Sequence, residues 1–197
     1  MTAPHAAVAL AAAGCRSGIH GDGHWRRVGE AGLFLAEHEG VSAHVVLLFA
    51  MLHDCRREND GHDPGHGPRA AALAEQIGHE PLGLSADELA TLAHAMRDHD
   101  RGRVTRDPLV GACWDADRLD LGRVGITPDP RLLSTGTAAG AGVIEAFSDF
   151  RREVPGWGEL VARVACAPRA VVDEAPGRAG ATPRLGRWSG LRTARRP

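Results

Sequence analysis

Several side chains of metal-ligating type stand on stripes that otherwise hold apolar residues. In the stretch LLFAMLHDCRREND, Leu47 to Asp60, an apolar run stops at His53 and Asp54. Val46, Phe49, Ala50 and His53 share one face at helical spacing, and Asp54 lies about 100° further round. Both polar groups therefore reach one point off the end of that helix. His24 is in line with Val28, Ala31 and Leu35, and His66 precedes Ala70, Leu73 and Ile77. Leu92, Met96 and His99 line up in a further segment, as do Val110, Cys113, Asp117 and Leu121. Asp115 points about 200° away from Asp117. An imidazole or carboxylate buried without a partner is costly. Taken singly, each has a plain explanation: a core histidine satisfied by its neighbours, or an Asp117 that caps a helix or pairs with Arg118 or Arg123. Taken together they converge, and a shared divalent ion would satisfy all of them at once. The dipeptide His-Asp alone carries no weight, because it recurs at 62-63 and 99-100.

The elements that must position these residues read as helices, with strand signals nearly absent. One helix is expected from about His24 to Glu39, stopped by Gly40. The next follows a Ser42 cap and runs to about Arg57, before the loop ENDGHDPGHGP. A short helix covers about Gly67 to Ile77. SADE is a capping box, with Ser85 as cap and Glu88 three residues on, and it opens a helix to about His99. Another spans roughly Pro108 to Leu121, and AAGAGVIEAF suits one more. From about Arg151 the chain is Arg, Pro, Gly and Ala with little periodicity, and from about Pro168 it reads as disordered. The expected class is all-α, with an N-terminal helix or extension over 1–16, one domain over 17–148 and an Arg/Pro/Gly-rich tail over 149–197.

Composition narrows the partners. At 197 residues and 43% hydrophobic the chain can build one sizeable core. A net charge of −2 gives no global pull toward nucleic acid or an anionic membrane. The C-terminal arginines lack interleaved aromatics apart from Trp188, so nucleic-acid binding is not expected. Every basic residue is Arg and none is Lys, a bias that lowers the weight of any one Arg cluster. Cys15, Cys55, Cys113 and Cys166 form no C-x-x-C pair, which suits reduced thiols and a cytoplasmic location. MTAPHAAVALAAAGC faintly resembles a lipoprotein leader, but it has no basic residue ahead of a short apolar part, so a short helix is the favoured reading. No run is long enough to cross a membrane.

The order H…HD…D made by His24, His53-Asp54 and Asp117 resembles the HD superfamily of metal-dependent phosphohydrolases. HWRRV is similar to that family's first-ligand helix, FAMLHD to the apolar helix entering the HD pair, and the ADRL of DADRLDLGRVGI to its last-ligand segment, which selects Asp117. The likeness covers roughly Ser17 to Thr135. It is closest to a bacterial subgroup with SGIHGxxHW, HDxxRxND, HG and CWDADRLDL segments. After the HD pair this chain has CRREND where an Ile-Gly-Lys-like turn is usual.

The resemblance implies an HD-domain helical bundle with a metal site between helices. His24, His53, Asp54 and Asp117 would hold a divalent ion, one of Mn, Ni, Co, Mg, Zn or Fe. The ion would activate a water toward phosphorus. Catalytic roles fall to Asp54, His66, His99 and Arg57, and substrate binding to Arg56, Arg57, His66 and Arg118, since phosphoryl chemistry needs positive groups around developing charge. His66 and His99 could instead hold a second metal ion. Glu58 and Asn59 could touch substrate. His20 could share the face of His24, but a loop position is favoured. The substrate would be a small phosphorylated molecule, a nucleotide included, whose base could stack on Trp25 or Trp114, although tryptophans so placed are more often core. Two other readings stand beside this one: a di-iron oxygenase on the same scaffold, and a non-catalytic nucleotide-sensing module. The presence of all four ligand residues speaks against the last.

Overall fold

The apolar segment becomes the centre of the molecule. In the computed structural model, which describes residues 1–14 and 17–166, α3 (Ala43–Leu52) has Val45 through Leu52 all buried. A helix with no polar face has to be surrounded. It is flanked by α2 (Asp22–Glu39), α6 (Ala86–Asp98), α7 (Pro108–Leu119) and α1 (Ala3–Ala13). On the far side of α6 lies α4 (His66–Ile77), followed by the short α5 (His79–Leu82). The described residues contain no strand, and the all-α class expected from the sequence holds. Among the described residues no helix is long and apolar enough to cross a membrane.

Two glycines set the distances that matter for the site. A Cβ on Gly32 of α2 would lie 2.5 Å from Val46 Cγ1 of α3, and one on Gly67 of α4 would lie 2.5 Å from the Met96 carbonyl of α6. The absence of a side chain lets each pair of helices approach closely. His24 is thereby drawn toward His53, and His66 toward His99.

The helix ends follow local chemistry. Ser42 caps α3, Asp107 caps α7, and Ser85 with Glu88 completes the expected capping box of α6. The helix expected to reach Arg57 stops at Leu52, because the chain tightens into turns in which Cys55 N–H donates to Leu52 O and Arg57 N–H to Asp54 O. Likewise α7 ends at Leu119, and a 3₁₀ turn over Leu121–Val124 follows. The expected later helix forms as α8 (Val143–Ser148).

The segment from Arg151, expected to lack periodicity, carries α9 (Trp157–Cys166). Leu160 and Val164 are buried, with Trp157 and Val161 half-covered, so a 3–4 apolar spacing outweighs the Arg/Pro/Gly-rich composition. Trp157 Nε1 donates to Asp22 at 2.7 Å, and Arg152 pairs with the buried Glu30 of α2, fastening this segment to the domain. The stretch from Pro168 lies outside the described residues.

Candidate metal centre

Five helix ends deliver polar side chains to one interior point. His24 comes from the first turn of α2, and His53 and Asp54 from the end of α3. His66 opens α4, His99 ends α6, and Asp117 lies in the last turn of α7. The four residues expected as ligands are together. His24 Nε2 is 3.1 Å from His53 Nε2, 3.6 Å from Asp54 Oδ2 and 3.4 Å from Asp117 Oδ1. His53 Nε2 is 3.8 Å from each of the same carboxylate oxygens. Atoms sharing one ion at bonds of about 2.1 Å lie about 3.0–3.4 Å apart, and His24, His53 and Asp117 form one set close to that spacing, with Asp54 grouped with His53 and His99.

His66 and His99 join the same cluster through the other oxygen of Asp54. His66 Nε2 is 3.1 Å and His99 Nε2 3.4 Å from Asp54 Oδ1, and the two ring nitrogens are 2.9 Å apart. Asp54 thus presents one oxygen to each pair of histidines.

The outer ring nitrogens decide the protonation. His53 Nδ1 is 3.1 Å from Phe49 O, His66 Nδ1 2.5 Å from Asp63 O, and His99 Nδ1 2.7 Å from Met96 O. His24 Nδ1 is 2.7 Å from Asp120 Oδ2. Carbonyl and carboxylate oxygens only accept, so each Nδ1 carries the hydrogen and each Nε2 turns a lone pair inward. Between His24 and His53, a lone pair faces a lone pair. Asp54 Oδ1 and Asp117 Oδ1 are buried there with no hydrogen-bond donor. Buried polar atoms are normally satisfied, and a divalent cation fits this whole set of acceptors.

Charge follows the same division. Burial pushes the His53 imidazole down to about 4. Burial, with the Arg123 guanidinium beside it, holds His24 well below its usual value. Burial works against the Asp117 carboxylate, but Arg123 and the neighbouring histidines keep it below the ordinary range. Asp54 is likewise held well below that range, against burial, by His53 and the imidazoles of His20, His66 and His99. His99 differs: burial depresses it, but Asp54 outweighs burial and raises it.

Three residues outside the expected set complete the centre. Asp120 receives His24 Nδ1–H and, at 2.6 Å, Arg27 Nε–H, an outer carboxylate that orients the His24 ring. His20, a loop residue as favoured, is nonetheless buried with Nδ1 2.9 Å from Asp54 Oδ2. Arg123, in the 3₁₀ turn, has Nη2 3.7 Å from Asp117 Oδ1. The spacing of Asp120 three residues after Asp117 is the one sequence signal for the first of these.

The arginine expectations divide. Arg57 Nε lies 3.2 Å from Asp54 Oδ1, next to the centre. Arg56 is exposed and lines, with Arg57, Glu58, Arg69, Cys55 and Gly14, a cavity of about 290 Å³. Arg118 is not a substrate arm. Its guanidinium turns away from the cluster, lies over the Trp114 ring and bonds Asp115 Oδ1, Leu132 O and Arg103 O. One residue along a helix is about 100° of rotation, so adjacency to Asp117 carries it to another face. Trp25 and Trp114 are buried core, and Trp114 Nε1 donates to Ala95 O at 2.9 Å, so neither offers a free face to a base. Comparison of the chain with protein-family models, with curated proteins and with solved structures finds no match.

Proposed function

We propose that this chain is a metal-dependent phosphohydrolase of the HD type, with His24, His53, Asp54 and Asp117 as ligands of a divalent ion. The observation that supports it best is the facing of the His24 and His53 lone pairs, 3.1 Å apart, as the first of two close imidazole pairs. A proton would bridge the first pair only by burying an imidazolium, which His24 and His53 both resist. Imidazole-rich donors suit Fe, Co, Ni or Zn better than Mg.

The ion, when bound, supplies Lewis acidity and lowers the pKa of a coordinated water. The chain's residues do the rest. Asp120 fixes the tautomer of His24, and three backbone carbonyls fix those of His53, His66 and His99. Arg57 stands beside Asp54, and Arg56 and Arg69 extend a basic wall along the adjoining cavity. That wall suits a substrate carrying a phosphate.

His66, His99 and Asp54 Oδ1 make a second set of three donor atoms, which also favours a di-iron oxygenase as a second reading. Phosphate release from a panel of phosphomonoesters and nucleotides by metal-loaded protein separates them. The expected result is release by the wild type and none by His53→Ala or Asp54→Ala of unchanged helicity. Protein with two irons per chain that consumes oxygen and frees no phosphate would replace the hydrolase reading with the oxygenase.

A further inference from the structure

The guanidinium of Arg123 is almost enclosed, with 7% of its side chain exposed, yet most of its donors have no acceptor. Nη1 donates to Asp120 O at 3.1 Å and lies 3.8 Å from Asp120 Oδ2. Nε is buried with no hydrogen-bond partner. Nη2 is 3.7 Å from Asp117 Oδ1, beyond hydrogen-bond length, and 3.3 Å from His20 Nδ1. That His20 nitrogen is also 2.9 Å from Asp54 Oδ2, a pure acceptor, so it carries a hydrogen and offers Nη2 no lone pair. The Nε–Nη2 edge, which binds two oxygens of a carboxylate or phosphate side by side, is therefore without an acceptor.

The position of this edge is informative. Among the cluster residues, exposure concentrates at Asp117 (14% of its side chain) and His20 (9%), whereas the side chains of His24 and His53 have none. Arg123 thus stands where the centre meets solvent. The residues next in sequence to His20 and Arg123, Ile19 and Val124, are apolar and 45% and 44% exposed.

We infer that Arg123 is the oxyanion arm of the site: its Nε–Nη2 edge binds two oxygens of a phosphate ester beside Asp117, with Ile19 and Val124 against the ester's organic group. This rests on the metal-centre reading above. It gives Arg123 the role that sequence adjacency suggests for Arg118.

The test uses full-length protein loaded with the divalent ion it retains on purification. Inorganic phosphate and phenylphosphonate, whose carbon–phosphorus bond resists hydrolysis, are titrated calorimetrically, and metal content is measured alongside. Arg123→Gln should keep its metal and bind inorganic phosphate about tenfold or more weakly. Arg123→Lys, which retains the charge without the fork, should recover only part of that loss, and Arg118→Gln should bind phosphate as the wild type does. Phenylphosphonate should bind the wild type more tightly than inorganic phosphate; the reverse order would overturn the ester assignment in favour of free phosphate. Metal retained with unchanged phosphate affinity in Arg123→Gln overturns the inference and leaves the metal centre standing. Loss of metal from both Arg123 variants makes the residue a prop for Asp117 and also overturns it. A wild type that binds no divalent ion would sink the metal-centre reading first, and the inference with it.

Discussion

Asp115 and Asp117 stand two residues apart on α7, and their surroundings are opposite. Asp115 is fully buried and receives Ser134 N–H, Thr135 N–H and Thr135 Oγ1–H at 2.7–2.9 Å, with Arg118 beside it. Burial lifts its carboxyl above the usual range, but its oxygens have donors. Asp117 keeps a buried oxygen with no donor, among imidazole lone pairs. The nearby arginines repeat the contrast: Arg118 bonds carbonyls and Asp115, while Arg123 has an edge without an acceptor. A buried charge that the chain itself satisfies ties elements together. One that it leaves open needs something from outside, and the low cost of the first is what exposes the second.

The contrast can be broken by substitution. Asp115→Ala should destabilise the fold by about 3–5 kcal/mol in urea unfolding, because it leaves the Arg118 charge without its carboxylate and two backbone donors without an acceptor. Asp117→Ala should cost the metal-free chain only about 1 kcal/mol while removing metal binding. Equal destabilisation by the two would erase the distinction. Gly67→Ala drives a Cβ against the Met96 carbonyl and should part His66 from His99, at about 1–3 kcal/mol. Elemental analysis should then show any second ion lost and the ion at His24 and His53 kept. Asp120→Asn should weaken metal affinity about 10–100-fold in a chelator competition, since it removes the carboxylate that orients His24.

The smallest effect is in pH. His99 titrates above its ordinary value of 6.5, so protons compete for it near neutrality, whereas His53 stays neutral down to about 4. As pH falls, an ion held by His66 and His99 should leave first, and one held by His24 and His53 should persist until the pH approaches 4. In metal-free protein the depressed His53 binds fewer protons folded than unfolded between about 4 and 6.5. The His53 contribution to stability should therefore rise with pH across that window, which the difference between thermal melts of wild type and His53→Ala would detect.

Legibility in the sequence depends on where each residue lies. His24, His53, His66, His99 and Asp117 sit at helix ends, where a 3.6-residue periodicity by itself places them on apolar stripes. His20, Asp120 and Arg123 lie in a loop and around a 3₁₀ turn, which have no face to project, so apart from the three-residue spacing of Asp120 from Asp117 only the packed chain shows their part. Arg118 departs from its expected role because nearness in sequence is not nearness in space on a helix. In α9, Leu160, Val161 and Val164 hold a legible period that the surrounding arginines, prolines and glycines mask.

Asp54 joins the two halves of the centre, since its two oxygens face the two histidine pairs. The most direct measurement is elemental analysis of purified wild type beside Asp54→Ala, with circular dichroism on both. At least one divalent transition ion per wild-type chain is expected, and none in Asp54→Ala of equal helicity. Equal metal content in the two proteins, or no metal in the wild type after reconstitution, would contradict the metal-centre assignment.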